Sequence, residues 1–319
     1  MLARAKGEST MTRFGLQIPN FTFDAPDTEI FARVVELARA AEETGFDSVW
    51  VMDHFYQLPP LGGPEKPMLE AYTILGALGA STQRVNLGAL VGGVTYRNPA
   101  LVAKCATTLD VISKGRAICG LGAAWFDVEH EGLGFEFPEA PVRLSRLEEA
   151  VQIVRAMFTE ETPSFEGRYY RIKEARNVPR PIRGGIPIMI GGGGERRTLR
   201  IVAKHADMCN LFGDVQDLEH KFAVLRKHCD EVGRDYDEIT RSRLATMIVT
   251  ETPEEGRAML DNLTKAVDRR AGSFTIGTEK EILQQIEDLE AVGVQYFIFN
   301  MPLSTVDAVR RAGEFLHNR

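Results

Sequence analysis

Asp53 and His54 form the first titratable pair that follows a strand-like run in the sequence. The pair comes directly after the apolar segment SVWVM, and Phe55 follows it. An imidazole titrates near neutral pH, so such a pair could move a proton. The competing interpretation is structural, with Asp53 capping the next loop and His54 hydrogen-bonding locally. The position of the pair at the end of a strand favours a functional role.

A second candidate is the run of four glycines, Gly191–Gly194, between the apolar segment IPIMI and the helix-like TLRIVAKHAD. Glycines at a helix N-terminus expose backbone N–H groups within a partial positive charge, which suits a phosphate. The run is not a Walker loop, because no GK[ST] follows, and it lacks the GxGxxG spacing of a dinucleotide fold. A flexible strand-to-helix turn is the alternative.

Two further segments carry few bulky side chains. The run LGALVGGVTYRNP contains Leu90, Val91 and Gly92, and GLGAAWFDVEHEG contains Ala123 and Ala124. Small residues let a flat ligand approach the main chain closely, although the first segment could be a simple bulge. The second segment continues into polar residues that are singly more typical of a surface, namely Asp127, Glu129, His130 and Glu131. With the glycine run, these segments predict a mononucleotide-like cofactor with a broad ring.

Eight strand-like runs must position these residues, and they alternate with amphipathic stretches. Such alternation predicts βα units around a parallel sheet, and eight units close naturally into a (β/α)₈ TIM barrel, with a doubly wound open sheet as the alternative. Barrel active sites form at the C-terminal ends of the strands. The predicted runs are Phe14–Ile18, Ser48–Met52, Val85–Val91, Ala117–Leu121, Pro187–Ile190, Met208–Phe212, Leu244–Val249 and Tyr296–Phe299.

The organisation along the chain predicts one domain over residues 11–319, preceded by a disordered extension over residues 1–10. Two insertions interrupt the alternation, at Trp125–Val142 and at Thr162–Gly185, and the second contains the hairpin-like FEGRYYRI. Insertions in a barrel usually surround its mouth. We therefore expect a TIM barrel with insertions at the C-terminal mouth.

Composition excludes several classes of function. The 319 residues carry a net charge of −7, which provides no positive field for nucleic acid or an anionic membrane. No apolar run has the length of a signal peptide or a membrane span. The four cysteines are far apart and include no CxxC pair, which is typical of reduced thiols in the cytoplasm. A small molecule is the expected partner.

The sequence resembles the luciferase-like flavin and deazaflavin oxidoreductases over nearly all of residues 11–319. Six motifs carry the resemblance in family order: FGLQIPN, SVWVMDHF, VNLGALVGGVTYRNPALVAK, GRAICGLGAAWFDVEHEGLGFEFP, IPIMIGGGGERRTLRIVAKHAD and GVQYFIFNMP. The likeness is greatest to the subgroup that uses coenzyme F420, an 8-hydroxy-5-deazaflavin. It implies the barrel fold, and a homodimer, since several members are dimers.

The resemblance also implies roles for individual residues. His54 would be the catalytic residue facing the substrate, and a non-proline cis peptide at Leu90–Val91 would support the back of the cofactor ring. Trp125 stands where some sugar-phosphate dehydrogenases of the family have a glutamate proton donor, and it could instead wall an apolar substrate pocket. The expected cofactor-binding residues are Asp53, Leu90, Val91, Gly92, Ala123, Ala124, Trp125, His130, Gly191, Gly192, Gly193 and Gly194.

The leading hypothesis is an F420-dependent oxidoreductase that moves a hydride between the cofactor and a small organic substrate. His54 would donate or accept the accompanying proton. The acidic tail of the deazaflavin could meet basic residues at the barrel mouth, for which the candidates are Arg97, Arg180, Arg183, Arg196 and Arg197.

Three alternatives remain at this point. The first keeps the fold but uses FMN and molecular oxygen, as in the monooxygenase branch. The second is a non-catalytic flavin or deazaflavin carrier. The third is a metal-dependent barrel hydrolase, although HxH and HExxH spacings are lacking and no metal is expected. Its ligands would be drawn from Asp53, His54, His130, His205 and Asp207.

Overall fold

The structure is a computed structural model that describes residues 12–267 and 271–319; the extension predicted for residues 1–10 lies outside them. Strands and helices alternate along the chain. The strands are β1 Arg13–Ile18, β2 Ser48–Val51, β3 Asn86–Ala89, β4 Gly92–Gly93, β5 Cys119–Gly122, β6 Phe165–Glu166, β7 Arg171–Ile172, β8 Ile188–Gly191, β9 Met208–Leu211, β10 Thr240–Val249, β11 Phe274–Gly277 and β12 Tyr296–Asn300. The α-helices are α1 Ile30–Glu43, α2 Ala71–Ser81, α3 Pro99–Ile112, α4 Asp127–Leu133, α5 Ala140–Thr159, α6 Thr198–His205, α7 Val215–Val232, α8 Pro253–Val267, α9 Glu279–Ala291 and α10 Val306–His317.

Eight parallel strands close into a barrel, as the sequence predicted. Their order is β1, β2, β3, β5, β8, β9, β10 and β12, and β12 pairs with β1. A parallel bridge between Leu87 and Ala117 joins β3 to the start of β5. Beyond a bend in the chain, β4 pairs with β5 through Gly92 and Gly93. Each of the eight predicted runs overlaps one of these barrel strands.

The region around β10 differs from the prediction. This strand begins at Thr240, four residues before the predicted Leu244, and its second half pairs with the unpredicted β11. The first half has the polar sequence TRSR, which is not typical of a buried strand. Arg243 is nevertheless buried there, because its guanidinium bonds to backbone carbonyls. Its guanidinium donates to the backbone oxygens of Gly213 and Gly272, which ties two mouth loops together. Burial lowers the pKa of Arg243 to about 10.

Side chains of alternate strand residues fill the lower part of the barrel. Trp50 and Tyr296 are fully buried there, and Met189, Met208 and Ile298 pack with them. The neighbouring residues on β2, Val49 and Val51, belong instead to the core between the strands and the surrounding helices. This alternation, typical of a barrel, plugs one end and leaves a hollow at the C-terminal ends of the strands.

Both predicted insertions contain ordered elements. The first holds α4, and the second holds the β6–β7 hairpin, whose turn amides at Arg168, Tyr169 and Tyr170 donate to the Glu149 carboxylate. The Tyr170 hydroxyl donates to the Val94 carbonyl just beyond β4, so the hairpin reaches the mouth. Across residues 12–267 and 271–319, none of the helices is both long and apolar enough to cross a bilayer.

Candidate active site

A cavity of about 270 Å³ lies at the C-terminal ends of the strands. Its wall is formed by the ends of β2, β5, β8 and β9, by Leu244 in the middle of β10, and by the bend between β3 and β4. Most of the predicted site residues meet there, although they come from distant parts of the sequence. Those that line the cavity are Asp53, His54, Leu90, Val91, Ala123, Ala124, Trp125, Gly191 and Gly192.

Asp53 is held rigidly at the end of β2. Its Oδ2 accepts from the Gly93 amide at 3.0 Å and from the Arg97 guanidinium at 2.8 Å. Arg97 also pairs with Glu70 and lies over the Tyr72 ring. Burial raises the pKa of the Asp53 carboxyl, and the charge of Arg97 opposes that rise. The carboxyl therefore has a fixed position with Oδ1 free of protein donors within the described part of the chain.

His54 forms a buried pair with Glu129 on α4. The His54 Nδ1 lies 2.7 Å from Glu129 Oε1, and the glutamate is fully buried. Because an ionised carboxylate only accepts hydrogen bonds, this contact places the neutral imidazole's proton on Nδ1. The Nε2 atom is then the ring nitrogen available to a ligand. Trp125 and Phe126 pack edge-on against the ring and fix its plane.

Glu129 accepts more than one hydrogen bond. The amides of Phe55 and Tyr56 donate to its Oε2 at 2.6 and 3.2 Å, and the Tyr96 hydroxyl donates to Oε1. Burial opposes the charge, but these donors and His54 outweigh it and hold the pKa of Glu129 below its ordinary value. The carboxylate thus remains ionised behind the imidazole at neutral pH, which suits a group that orients a proton-transferring histidine.

The bend after β3 has the predicted geometry. The Leu90–Val91 peptide bond is cis. The Leu90 carbonyl accepts from Gln17 Nε2 at 3.3 Å, which links the bend to β1. Gly191 lies directly against Val91, where a built Cβ would come within 2.7 Å of the valine Cγ2. Gly92 pairs within the sheet beside Asp53 and does not itself line the cavity.

The glycine run divides between the cavity and the loop before α6. Gly191 and Gly192 line the cavity, and Gly192 has a φ of +118°, a conformation that favours glycine. Gly193 lies beside Leu211 and Lys221, and Gly194 lies beside the Thr198 hydroxyl. Thr198 opens α6 and also lines the cavity, so the helix N-terminus is directed at it.

Two sets of predicted contacts are not found at the cavity. His130 is fully buried behind it, between the Thr95 hydroxyl and the Phe126 carbonyl. Arg97 is occupied by Asp53 and Glu70 rather than open at the mouth. Arg183 lies beside Gly115, before β5, at the opposite end of the barrel. Charge alone could not reveal these positions, because they depend on which end of a strand each loop meets.

The ligands suggested for a metal-dependent hydrolase do not come together. Asp207 precedes β9 at the other end of the barrel, where Arg155 donates to it and to the His205 carbonyl. His130 is separately engaged, as described above. Within residues 12–267 and 271–319, no group of three or more His, Cys, Asp or Glu side chains is placed to hold a metal ion.

Several lining residues escaped the sequence analysis. They lie on or shortly after a strand, or at a helix start, and none of them was singled out as a ligand: Tyr96, Thr198, Asn210, Phe212 and Leu244. Glu129 was noticed in the sequence, but no signal connected it to His54. The one available indication was the position of Phe212 at the C-terminal end of a predicted strand, whereas Leu244 stood at the start of one and lies in the middle of β10.

A larger cavity of about 610 Å³ adjoins the first. Five residues border both cavities: His54, Leu90, Trp125, Phe212 and Leu244. Trp125 and Phe212 are 60% and 55% exposed, which is unusual for large aromatic residues and leaves apolar surface open toward the two spaces. The imidazole of His54 therefore stands at the boundary between two adjoining compartments.

Comparison with known proteins agrees with this architecture. An F420-dependent glucose-6-phosphate dehydrogenase of Nakamurella multipartita is 32% identical over 287 residues, which cover 88% of this chain and 82% of the relative. The solved structure of an F420-dependent secondary alcohol dehydrogenase in complex with an F420-acetone adduct aligns with a TM-score of 0.80 and 21% identity over 96% of this chain and 98% of that chain. The coenzyme F420 dependent tetrahydromethanopterin reductase of Methanopyrus kandleri aligns with a TM-score of 0.78 and 18% identity over 95% and 98% of the two chains. The two structures are similar in fold.

The family comparison covers most of the sequence. The family model described as luciferase-like monooxygenase matches residues 12–272. This range includes His54, Glu129, the bend at Leu90–Val91 and the glycine run. The chain therefore belongs to the luciferase-like monooxygenase family.

Proposed function

We propose that this protein is an F420-dependent oxidoreductase that transfers a hydride between the deazaflavin and a small organic substrate. The observation that carries the proposal is the His54–Glu129 pair on the common boundary of two cavities. A ring held in one cavity and a substrate in the other would meet beside a histidine able to exchange a proton.

The smaller cavity fits the cofactor's flat ring. Leu90 and Val91 form one wall through the bend after β3, and Ala123 and Ala124 provide a surface with few atoms beyond the main chain. A Cβ added at Gly122 would come within 2.6 Å of Val91, so only glycine leaves this surface intact. We assign the phosphate to the N-terminus of α6, with Gly192 and Thr198 nearest to it.

Bound F420 supplies a carbon that accepts or gives up a hydride. The chain's own residues handle the proton and the geometry. His54 Nε2 takes a proton from a substrate hydroxyl, or in the reverse direction the imidazolium gives its Nε2 proton to a substrate carbonyl, while Nδ1 stays bonded to Glu129. Asp53, fixed by Arg97 and the Gly93 amide, presents its free oxygen to the ring. Trp125 and Phe212 offer apolar surface that a bound ring and substrate would cover, which would exclude water from the boundary.

A binding titration tests the cofactor. We expect the purified protein to quench or shift the fluorescence of F420 with a saturable curve, and to bind FMN at least tenfold more weakly. Oxygen uptake in the presence of reduced FMN should stay at the background rate. Preferential FMN binding with oxygen uptake would instead identify a monooxygenase, and binding without any turnover over a broad substrate panel would identify a carrier.

We also propose a homodimer formed through α3. Leu101 and Ile112 on this helix are 52% and 40% exposed, and Val178 and Ile182 beside it are 69% and 55% exposed. The last two are tied to the helix, since the Val178 carbonyl accepts from Lys104 and the Ile182 amide donates to Asp110. Exposed large apolar side chains on and beside one helix are typical of an interface. We call these residues the α3 patch.

The proposed location is the cytoplasm, with a small molecule rather than nucleic acid or membrane as partner. The free thiols of Cys105, Cys119, Cys209 and Cys229 agree with a reducing compartment. Burial raises the pKa of Cys119 and of Cys209 to about 12, so these two thiols are protonated and unreactive at neutral pH.

A further inference from the structure

We propose that the larger cavity selects a neutral, mostly apolar substrate with a hydroxyl group remote from its reacting carbon, and that Gln17 and Asn300 bind that hydroxyl. This inference rests on the proposed function, because it takes the smaller cavity as the cofactor site. It names a specificity pair and a substrate class for the same active site.

The first argument comes from the wall of the cavity. Six of the side chains that line it are large and apolar: Met52, Leu58, Leu90, Trp125, Phe212 and Leu244. Leu58 and Met52 also pack on Phe126, which makes their side of the cavity rigid. Burying an apolar molecule against such a wall contributes roughly 25 cal/mol per Å² of surface removed from water. The body of the substrate should therefore be hydrocarbon.

The second argument comes from two amide oxygens that lack a hydrogen-bond partner. Gln17 and Asn300 border this cavity, and Gln17 Oε1 and Asn300 Oδ1 are buried with no hydrogen-bond partner. Five buried side-chain atoms lack a partner among the described residues, and two of the five are here. A buried acceptor left unpaired is costly, and this cavity is the space that both residues border.

The two amides are neighbours in the barrel wall. Gln17 on β1 pairs in register with Asn300 on β12 on one side and with Trp50 on β2 on the other. Along the chain, Trp50 comes two residues before Met52 and four residues before His54. The orientation of the Gln17 amide is set by its Nε2, which donates to the Leu90 carbonyl, so its oxygen is the atom left over. A donor on the substrate, such as a hydroxyl, would satisfy these acceptors while the reacting carbon stays near His54.

The third argument concerns charge. Among the described residues that line this cavity, Lys221 is the one cation, and its Nζ is paired with Glu195 Oε1 at 2.5 Å. The carboxylate of Asp217 lies on the same wall. A phosphorylated substrate would bring a dianion beside this carboxylate and compete with Glu195 for the lysine. A neutral hydroxyl fits these groups better.

The test measures binding rather than turnover. The chain has two tryptophans, of which Trp50 is fully buried and Trp125 borders the cavity, so a ligand-dependent change in emission reports on Trp125. We would titrate cyclohexanone, 4-hydroxycyclohexanone and glucose 6-phosphate into the protein with and without F420. The expected result is three- to tenfold tighter binding of the hydroxylated ketone than of cyclohexanone, about the net effect of one hydrogen bond.

Variants assign that preference to the amides. Asn300→Leu and Gln17→Met should each remove most of the hydroxyl preference while leaving cyclohexanone affinity within about twofold. Phe212→Leu, the matched control, should weaken both ketones equally and keep their ratio. If Gln17→Met does not fold because the bond to Leu90 is lost, Asn300→Leu and the wild-type ligand series still decide.

Two results would overturn the inference: tighter binding of glucose 6-phosphate than of 4-hydroxycyclohexanone, or a hydroxyl preference unchanged in Asn300→Leu. Failure of the proposed function is a separate result. If F420 does not bind but the hydroxyl preference is present and depends on Asn300, the oxidoreductase proposal fails while the assignment of the amide pair stands.

Discussion

His54 and Glu129 are in direct contact through Nδ1 and Oε1 at 2.7 Å, although 75 residues separate them in the chain. His54 lies three residues after the end of β2 and Glu129 lies in the short helix α4, so the contact exists only in the folded protein. It supplies the imidazole with a fixed tautomer, and two of the predictions below depend on it.

Replacing Glu129 by Gln should lower turnover roughly 10- to 100-fold, less than the roughly 100- to 10,000-fold that a proton-transferring group itself contributes. The amide keeps the shape but no longer stabilises a charged imidazole, and it can present an N–H to Nδ1, which reverses the tautomer. Steady-state rates with F420 and the best substrate of a carbonyl and alcohol panel check this. Glu131→Gln, on the same helix but exposed, is the matched control. Equal rates for both variants would remove Glu129 from the mechanism.

The same pair predicts a pH dependence of stability. The folded pKa of Glu129 is lowered, so its stabilising contribution is complete above the ordinary glutamate pKa and is lost as the pH falls through the folded value. The wild type should therefore lose more stability on acidification than Glu129→Gln does. Urea unfolding at several acidic pH values measures the difference, and parallel pH profiles for the two proteins would contradict it.

Removal of Arg97 should expose the cost of the buried Asp53 charge. Arg97→Met leaves that carboxylate unpaired, and breaking a buried pair costs about 3–5 kcal/mol. Burial already raises the pKa of Asp53, so protonation relieves the cost and the deficit should shrink as the pH falls. Urea unfolding of Arg97→Met and of Arg97→Met with Asp53→Asn tests this. The double variant should recover part of the loss and show a flatter pH profile; no recovery would mean that packing of Arg97 on Tyr72 dominates.

The glycine run can be tested with a control that has a similar backbone. Gly192 has a φ of +118° at the cavity, and Gly184 has a φ of +76° with no atom within 4 Å of a built Cβ. Alanine at either position should cost about 1–3 kcal/mol of folding stability through strain. Only Gly192→Ala should also weaken F420 binding, by roughly tenfold, or about 1.4 kcal/mol. Equal F420 affinities for the two variants would show that the cofactor phosphate lies elsewhere.

A charge in the α3 patch should dissociate the proposed dimer. Leu101→Glu would bury a carboxylate in the interface, which is strongly unfavourable without a partner. Sedimentation velocity is expected to show a dimer for the wild type and a monomer for this variant. Phe31→Glu, at an exposed position on α1, should remain dimeric. A monomeric wild type would exclude this interface.

The barrel and most of the cavity wall could be predicted from the sequence because both follow local rules. Apolar runs gave the strands, and residues after a strand must lie at its C-terminal end, which brought Asp53, Ala123 and Gly191 together correctly. The position of the cis peptide followed from the resemblance to the family. Strand β11 was missed because FTIG is short and has no clear boundary.

The contacts between elements could not be predicted in this way. The sequence DVEHEGL shows a carboxylate–imidazole group, but only the packing of α4 against β2 selects Glu129 over Glu131 as the partner of His54. His130 and Arg97 have polar side chains that suggest a ligand site, whereas the fold uses both inside the protein. The TRSR sequence at the start of β10 was not predicted as a strand for the same reason, since its arginines bond to backbone carbonyls inside the protein.

The boundary shared by the two cavities limits how such an enzyme could change during evolution. Any substitution at Trp125, Phe212 or Leu244 alters the room left for both occupants at once, so a mutation that admits a bulkier substrate also disturbs the fit of the ring. Gln17 and Asn300 border only the larger of the two spaces. New substrate preferences should therefore arise most readily at Asn300, because Gln17 also holds the Leu90 carbonyl at the wall of the smaller cavity through its Nε2.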